Sequence, residues 1–409
     1  MPEEKWPMAN PMLKGVRVTA LVHVWAGPWA GAVLSDMGAE VIRVESHQRL
    51  DPSRGRAPFE AGKPGVNRSI VWNMHNRGMK SCTVNLKQPR GVELFRELVR
   101  KSDVVIDNLA PRVLPGLGLD YAALKAIKPD IIMVSLPGFG SAGPDRDYIS
   151  YASTVASVGG LLDSFGYPGG EPALMGVHPP DPIGGMWGVV CALAALNHRS
   201  RTGRGQHLDL AQTEATTALL PEVIMEYSMN GRIRPRMGNR DEIMAPHGCY
   251  PCSGEDKWVA IAVRSHEEWD ALRRIMEYPP WSDDEKFSDQ YRRWQNQDLL
   301  NKHIAGWTRN FTHYEVMQKL QDSGIAAGAV LNIEELLNDP HVRERQVFFE
   351  QQHADAGKTL AYRPPWASAL TKANPPAPCL GEHNGYVYKE LLGLSDSAYD
   401  QLVDDKIIY

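Results

Sequence analysis

The chain has 409 residues, a formal net charge of −5 and 43% hydrophobic residues. These values predict two or three domains' worth of core and argue against a disordered chain or a basic nucleic-acid coat. No apolar run approaches the ~20 residues of a membrane helix, the acidic start lacks a signal-peptide core, and five cysteines are too few for a disulfide framework. We therefore expect a soluble, cytoplasmic enzyme that binds neither nucleic acid nor a membrane.

The first part of the chain alternates between strand-like and helix-like segments. Strand patterns cover 15–22, 40–45, 81–86, 103–108 and 130–136, and helical patterns cover 29–39 and 89–102. Strands joined by helices form parallel sheets with right-handed crossovers. The pattern predicts an α/β large domain with a doubly wound parallel sheet.

The rest of the chain predicts more of this domain and then a smaller one. An apolar helix is expected over 182–199, a strand over 206–212 and a helix over 213–229 that Pro221 kinks. A linker without periodicity follows, and 247–263 fits a β-hairpin. We predict that 1–230 is the N-terminal part of the large domain and that 231–370 holds the linker and a small α+β domain. Residues 371–409 are predicted as a helical segment that returns to the large domain.

The turn HVWAGPWAG (23–31) follows the first strand, where open α/β sheets usually bind ligands. Gly27 and Gly31 have the wrong spacing for a GxGxxG dinucleotide fingerprint. Two interpretations stay open: a phosphate that meets backbone N–H groups at the next helix, or a plain tight turn of small residues.

Positive charge is concentrated in residues 43–101, which hold thirteen Lys or Arg residues and five acids. A focused positive region attracts polyanionic small ligands, including nucleotides with several phosphates. A solvated face with i,i+4 ion pairs explains the same charges.

Asp181 stands directly before Pro182 at the head of the apolar helix. An N-cap Asp followed by Pro at the first helical position needs no further function. In the other interpretation Asp181 is a nucleophile, because a helix N-terminus lowers the pKa of a carboxylate and keeps it ionised.

Other familiar site patterns are missing from the sequence. Cys249 and Cys252 form a lone CxxC without the second pair that zinc needs, so we expect two inert, buried cysteines on a hairpin. The histidines show no metal-ligand spacing, and no GxSxG, HExxH or Walker A motif is present. We predict no metal and no permanently bound cofactor.

Taken together, these stretches resemble the class III CoA-transferases, the family of formyl-CoA and carnitine CoA-transferases. The resemblance runs from about Leu13 to Gly393 and depends on the order and spacing of several loose motifs. They are the opening LKGVRV…HVWAGPWAG, GAEVIRVE, DPSRG, NRGMKSCTVNLKQPRG, DVVIDNLAPRVLPGLGLDY, SLPGFGSAGP, DPIGGMWGVVCALAALNHRSRTGRGQHLDLAQTEA and LGEH.

The resemblance implies a fold, an assembly and a mechanism. It implies a large α/β domain, a smaller domain and two interlocked chains, as a homodimer or as a heteromer with a related subunit. Asp181 falls on the nucleophilic aspartate of the family, which implies CoA transfer through an aspartyl mixed anhydride and an aspartyl-CoA thioester. CoA and acyl-CoA are then substrates, and a carboxylic acid is the acceptor.

The family's CoA contacts carry over residue by residue. They fall on Val24, Trp25, Ala26, Val84 to Lys87, Asn108, Leu109 and Ala110, with Tyr151 and Ala152 near the acyl end. Lys87 and Arg54 are expected to pair with phosphates. Ser46 and Gly116 stand where the formyl-CoA enzyme has basic residues, and Arg49 and Arg112 are the candidates to compensate.

The acyl group and the acceptor are less constrained. Ala152 replaces an acid beside the active site, which argues against oxalate and formate chemistry. Trp25, Trp29, Met186 and Trp187 predict a roomier, more aromatic acyl pocket. The HVWAGP opening is also similar to subunits of succinyl-CoA:benzylsuccinate-type CoA-transferases, which implies succinyl-CoA as donor and an aromatic or branched dicarboxylic acid as acceptor.

Two rival functions remain. An α-methylacyl-CoA racemase has the same fold but pairs its Asp with a His, and by motif order Tyr151 holds that place here. A tyrosine with a pKa near 10 is a poor general base at pH 7, so the sequence favours the transferase. The second rival is a non-catalytic subunit of a heteromeric CoA-transferase.

Overall fold

The structure, a computed structural model, describes residues 11–366 and 374–409. Within them the chain divides into two compact units. The first unit comprises the described parts of Met1–Leu162, Leu174–Arg232 and Glu344–Tyr409, and the second comprises Asp163–Ala173 and Ile233–Arg343.

Eleven strands and sixteen α-helices lie in the described residues. The strands are β1 (Arg17–Leu21), β2 (Glu40–Glu45), β3 (Lys80–Thr83), β4 (Val104–Asp107), β5 (Ile132–Ser135), β6 (His207–Asp209), β7 (His247–Pro251), β8 (Trp258–Ala262), β9 (Ala326–Val330), β10 (Phe348–His353) and β11 (Gly357–Tyr362). The helices are α1 (Ala26–Asp36), α2 (Ile70–His75), α3 (Pro89–Arg100), α4 (Val113–Gly116), α5 (Tyr121–Ile127), α6 (Ala152–Val158), α7 (Pro180–Thr202), α8 (Gln212–Thr217), α9 (Pro221–Asn230), α10 (His266–Ile275), α11 (Gln290–Gln295), α12 (Gln297–Thr308), α13 (His313–Gln321), α14 (Ile333–Asn338), α15 (Pro340–Glu344) and α16 (Asp396–Asp404).

The first unit is built on a six-stranded parallel sheet with the order β3-β2-β1-β4-β5-β6. Successive residues of its central strands point to opposite faces, so Val105 joins one apolar cluster while Val104 joins the other. Helices α3, α5 and α16 contribute to the first cluster, and α1 and α7 to the second. The predicted doubly wound α/β sheet is confirmed. Its strand order reverses between β1 and β4, where such sheets bind ligands at their carboxyl ends.

Pro221 changes one predicted helix into two. The sequence predicts a kinked helix over 213–229, but α8 ends at Thr217 and α9 begins with Pro221. Proline lacks the N–H that a helix interior needs and is well accommodated at the first helical position. The chain therefore breaks before this proline.

The second unit contains an antiparallel sheet, β7-β8-β9, with helices around a separate apolar cluster. The predicted hairpin is β7–β8. Cys252 is buried, but Cys249 is exposed, so the expectation of two buried cysteines is wrong for Cys249. Burial raises the pKa of both thiols, to about 11 for Cys252, which keeps them protonated and unreactive at neutral pH.

The chain returns to the first unit at Glu344, earlier than the boundary at 370 that the sequence predicts. The hairpin β10–β11 is held there by side chains. Arg68 forms an ion pair with Asp355 at 3.2 Å, and the guanidinium of Arg77 lies 4.2 Å from the ring centre of Tyr362. Such contacts join distant parts of the chain and leave no trace in local periodicity.

Two kinds of feature are absent from the described residues. None of their helices combines the length and the apolar character that crossing a bilayer requires. Nowhere in 11–366 or 374–409 do three or more His, Cys, Asp or Glu side chains lie together as a metal site would need.

Candidate active site

The turn between β1 and α1 is fixed by side chains from two other segments. The backbone N–H of His23 donates to Oδ1 of Asn108 at 2.8 Å, and Nδ2 of Asn108 donates to the carbonyl of His23 at 2.8 Å. The N–H of Val24 donates to Oδ2 of Asp51 at 3.0 Å. Val24 has a φ of 61°, a strained conformation for a β-branched residue. These contacts hold that strain at the first predicted CoA-binding residue.

Two buried arginines, Arg43 and Arg54, belong to the cluster of side chains that holds this turn in place. Asp51 also forms an ion pair with Arg43, which is fully buried and donates to the carbonyl of Val22 at 2.9 Å. The ring of Trp72 lies between Arg43 and Arg54, at 4.1 Å and 3.4 Å from their guanidinium carbons. This stack places the two cations against an aromatic face instead of water.

Arg54 does not lie where a CoA phosphate could reach it. Its side chain is fully buried, and Nε and Nη2 each donate to the carboxylate of Glu45 at 2.8 Å. Nη1 donates to Val66 and Asn67, and Nη2 also faces the carbonyl of Pro378. A guanidinium has five N–H donors, and all are engaged. The expectation that Arg54 binds phosphate is therefore wrong, because a buried carboxylate already holds it.

The same reason corrects the expected positive surface. Arg43, Arg54 and Arg77 of the basic segment are buried in ion pairs with acids of the first unit, and Lys80 and Arg90 pair with nearby glutamates. Many of the charges counted in the sequence thus stabilise the fold. Lys87 and Arg49 are exposed and stay available to a polyanionic ligand.

Asp181 lies inside the first turn of α7. The helix begins at Pro180, and its cap position falls on Pro179, which has φ −54° and ψ −35°. The cap interpretation of Asp181 is therefore wrong, because the preceding prolines already adopt helical angles. The backbone N–H of Asp181 donates to the carbonyl of His178 at 3.2 Å.

Glycines bring the N-terminal half of α7 close to α1. A Cβ atom at Gly185 would lie 2.7 Å from the carbonyl oxygen of Ala26 and 3.0 Å from Cβ of Trp29. A Cβ at Gly188 would lie 2.9 Å from Leu136 on the sheet side. Real Cβ contacts are not that short, so this approach requires glycine.

The close approach places the carboxylate of Asp181 beside the N-terminus of α1, where the backbone N–H of Ala26 lowers its pKa. Burial raises the pKa of Asp181 to about 6, against the N–H bond and the positive charge of Arg56, which both lower it. The sequence predicts a lowered pKa, and the direction is the opposite because the loss of hydration outweighs the helix terminus. A pKa of about 6 still leaves about nine-tenths of the carboxylate ionised at pH 7.

Aromatic rings lie around Trp25, the residue next to Ala26. Trp25 stacks on His75 with ring centres 4.8 Å apart and meets the ring of His178 edge-on at 5.1 Å. Trp29 lies 5.6 Å from His75. Nδ1 of His75 faces the carbonyl of Val71 at 2.7 Å, so Nδ1 carries a proton and burial lowers the pKa of this histidine. Trp25 and Trp29 therefore belong to a cluster of aromatic rings next to Ala26, and the aromatic acyl pocket stays a prediction.

The other predicted CoA contacts lie at the carboxyl ends of the strands. Val84 and Lys87 follow β3, with Val84 buried and Lys87 exposed, and Asn108, Leu109 and Ala110 follow β4. Since β1 and β4 are neighbours, the Val24–Ala26 turn and the segment after β4 lie side by side. The bond between His23 and Asn108 joins them directly.

A cavity of about 340 Å³ opens at the ends of β4 and β5, lined in part by Leu109, Ala110 and Arg112. Arg112 is 63% exposed and lies 3.6 Å from Asp147. The cavity therefore contains three of the predicted CoA-binding residues.

The wall of this cavity holds a polar cluster that the sequence did not reveal. Ser135 donates to Oδ2 of Asp107 at 2.7 Å and contacts Nε2 of His207 at 3.1 Å. Burial raises the pKa of Asp107 to about 6. Asp107 and Ser135 end the adjacent parallel strands β4 and β5, and His207 begins β6 beside them, so only the pairing of the strands brings the three residues together.

Four predicted residues lie further along the chain. Tyr151 and Ala152 begin α6; Tyr151 is 65% exposed, whereas Ala152 is buried. Met186 and Trp187 lie on the exposed side of α7. The sequence reasoning also missed Arg56, His75 and His178, because their separation along the chain hides their shared position around Trp25.

The chain was compared with protein families and with solved structures. The family model described as CoA-transferase family III matches residues 13–384. The solved structure of a CAIB/BAIF family protein from Brucella suis superposes with a TM-score of 0.84 at 31% identity, covering 93% of this chain and 100% of that one.

Two curated relatives align over nearly their whole length. Succinyl-CoA--D-citramalate CoA-transferase of Chloroflexus aurantiacus is 32% identical over 97% of this chain and 98% of its own. The alpha subunit of succinyl-CoA--L-malate CoA-transferase of the same organism is 32% identical over 99% of this chain and 97% of its own. The chain therefore belongs to CoA-transferase family III and is a CoA-transferase.

Proposed function

We propose that this enzyme moves CoA from succinyl-CoA to a dicarboxylic acid, with Asp181 as the nucleophile. One observation carries the proposal: an ionisable, half-buried carboxylate lies at the N-termini of two helices, within hydrogen-bond reach of the Ala26 N–H. A carboxylate that has lost hydration, with its pKa raised to about 6, is more nucleophilic than a solvated one and is still ionised at neutral pH.

CoA is proposed to bind along the carboxyl edge of the sheet. Its thioester end meets the Val24–Ala26 turn, and its longer part follows Asn108 to Ala110 into the cavity at β4 and β5. Lys87 and Arg112 are the exposed cations proposed for the phosphates, in place of Arg54.

The transfer then runs in four balanced displacements. A carboxylate oxygen of Asp181 attacks the thioester carbonyl, the C–S bond breaks, and CoA thiolate leaves a mixed anhydride behind. The thiolate attacks Cγ of Asp181, releases the donor acid as carboxylate and forms an aspartyl-CoA thioester. The acceptor carboxylate attacks that thioester to give a new anhydride and thiolate. Thiolate attack on the acceptor carbonyl forms the new acyl-CoA and restores Asp181.

The backbone supports the second and third of these steps, in which Cγ of Asp181 is attacked. Negative charge develops on the oxygens of Cγ whenever the thiolate or the acceptor attacks it. The Ala26 N–H and the positive end of the α1 dipole stabilise this charge without rearrangement. The thioester bond is exchanged and never hydrolysed, so the sequence of steps requires neither ATP nor a metal.

The substrates and the assembly are proposed from the relatives. Both relatives named above use succinyl-CoA with a hydroxy dicarboxylic acid, and one of them is a subunit of a heteromer. We propose two interlocked chains in the cytoplasm, as a homodimer or with a related subunit. Light scattering measures this assembly. The chain is purified alone in one experiment and co-expressed with a related family III chain in another.

Hydroxylamine trapping tests the nucleophile. The protein is incubated with succinyl-CoA and hydroxylamine, and peptide mass spectrometry is used to search for an aspartyl hydroxamate. We expect modification at Asp181 alone, with Asp120 as an internal control, since its carboxylate accepts the N–H of Ala123 in an ordinary N-cap. An unmodified Asp181 in a protein that still binds CoA makes the chain a non-catalytic subunit.

One observation keeps the racemase as a second candidate. The sequence argument against it is the absence of a histidine near Tyr151, but the structure brings His75 and His178 to Trp25 from elsewhere in the chain. Incubation with an (R)-2-methylacyl-CoA in deuterated water separates the two functions. Rapid α-deuterium exchange without an acceptor acid contradicts the transferase proposal.

A further inference from the structure

We propose that the guanidinium of Arg56 binds the second, unreacting carboxylate of the succinyl group and of the acceptor, and so selects dicarboxylic substrates. This inference rests on the proposed function, since it assigns the substrate selectivity of the same site. Arg56 touches the substrate and takes no part in bond breaking.

Arg56 differs from the other arginines of its segment. It follows a short 3₁₀ turn, Pro52–Gly55, and its side chain is exposed, whereas Arg43 and Arg54 are fully buried in ion pairs. Within residues 11–366 and 374–409, the Arg56 guanidinium makes no hydrogen bond or ion pair, and only its backbone N–H and carbonyl are engaged, with Ser53 and Ser69. Its five donors are therefore available to a ligand.

The position of this guanidinium relates it to the nucleophile. Its central carbon lies 5.7 Å from the ring centre of Trp25, the residue before Ala26. The Arg56 charge also acts on the Asp181 carboxylate and opposes the rise of its pKa. Arg56 and Asp181 therefore both lie near the Trp25–Ala26 turn, where the thioester end of CoA is proposed to bind.

Charge balance explains why the bound acid should have a second carboxylate next to Arg56. In the anhydride and thioester intermediates, Asp181 is acylated and carries no charge. Arg56 then loses its nearby anion, while its guanidinium stays beside the ring of Trp25. A free carboxylate on the bound acid restores the balance, and a planar guanidinium binds it through two parallel hydrogen bonds. The aromatic rings cover the methylene carbons between the two carboxyl groups.

The test compares two donors that differ only at the far end of the acyl chain. Succinyl-CoA and butyryl-CoA have four acyl carbons each, and butyryl-CoA has a methyl group in place of the free carboxylate. Release of CoA is followed in the presence of hydroxylamine, so that only the first half of the reaction and no acceptor is involved. The variants are Arg56→Ala, Arg56→Lys and, as a matched control, Arg100→Ala, an exposed arginine at the end of α3.

We expect Arg56→Ala to lower kcat/KM for succinyl-CoA by about 10- to 150-fold, the range for losing a hydrogen bond between charged groups. The kcat/KM for butyryl-CoA should change less than about threefold, because its methyl end carries no charge that Arg56 could bind. Arg56→Lys should keep part of the selectivity, and Arg100→Ala should keep all of it. Circular dichroism of each variant establishes that the fold is intact.

Two results overturn the assignment. Equal losses for both donors place Arg56 on the CoA phosphates or in the fold, and unchanged kcat/KM values for both donors remove it from the site. If the wild-type protein releases no CoA from any donor, the proposed function fails instead, and this outcome is distinct because it does not depend on Arg56.

Discussion

Replacing the nucleophile by its amide isostere should stabilise the protein while abolishing transfer. Burial raises the pKa of Asp181 from an ordinary 3.8 to about 6. The folded chain therefore holds this proton to a higher pH than the unfolded chain does. The stability that this proton contributes is fully present below the ordinary pKa of 3.8 and is lost as the pH rises through 6. One pKa unit corresponds to about 1.36 kcal/mol, so ionisation of Asp181 costs about 3 kcal/mol at most.

Asp181→Asn removes the charge but keeps an oxygen that can accept the Ala26 N–H. Since Asp181 is partly exposed, solvent screening reduces the expected gain to about 1–3 kcal/mol at pH 8. At pH 4.5 the gain should fall to about one third of its value at pH 8, because the folded wild-type carboxyl is then protonated while the unfolded one, with its ordinary pKa of 3.8, is still largely ionised. Urea denaturation at both pH values and one protein concentration measures this difference. The same variant should lose hydroxylamine-dependent CoA release.

A control variant sharpens the comparison. Asp396 also lies in the first turn of a helix, α16, but the hydrogen bond from Lys389 holds its pKa below the ordinary value. Asp396→Asn should therefore give no stabilisation at pH 8. If Asp181→Asn is no more stable than wild type at pH 8, or shows the same gain at pH 4.5, the burial argument for Asp181 is refuted. In wild type, kcat/KM should fall about tenfold per pH unit below 6.

Other changes test the supports of the site. Asp51→Ala should lower the free energy of unfolding by about 3–5 kcal/mol in urea titrations, because Arg43 is left buried without its counter-charge; an unchanged midpoint contradicts this. Gly185→Ala should cost about 1–3 kcal/mol and slow CoA release, since its Cβ would lie 2.7 Å from a carbonyl oxygen of α1. Gly306→Ala, in α12 with open space around it, should instead gain about 0.5–1 kcal/mol. Lys87→Ala should raise KM for the acyl-CoA about tenfold and should make this KM depend less on salt, because Lys87 is proposed to contact a phosphate. If the wild-type KM is the same at low and high salt, the phosphate contact is contradicted.

The sequence determined the large-scale pattern and the identity of the key acid. Strand and helix periodicities are local properties, so all six strands of the parallel sheet, the long helix α7 and the β7–β8 hairpin could be predicted from them. The order of motifs along the chain pointed to Asp181 and to the turn at Val24–Ala26. Neither inference requires knowledge of which distant residues meet.

What the tertiary structure decided is which charges are free and which are held. Arg43, Arg54 and Arg56 lie within fourteen positions of one another in a segment rich in positive charge, and nothing in the sequence ranks them. Burial against Trp72, with Asp51 and Glu45 as partners, makes the first two structural and leaves Arg56 exposed near Asp181.

The same holds for the nucleophile itself. The sequence places an acid near a helix start, but its pKa depends on how much water the folded chain excludes. The approach of α7 to α1 at Gly185 removes that water and reverses the predicted direction of the shift. Ion-pair partners and hydration depend on distances in three dimensions, and these distances are fixed only when helices and strands from separate parts of the chain meet.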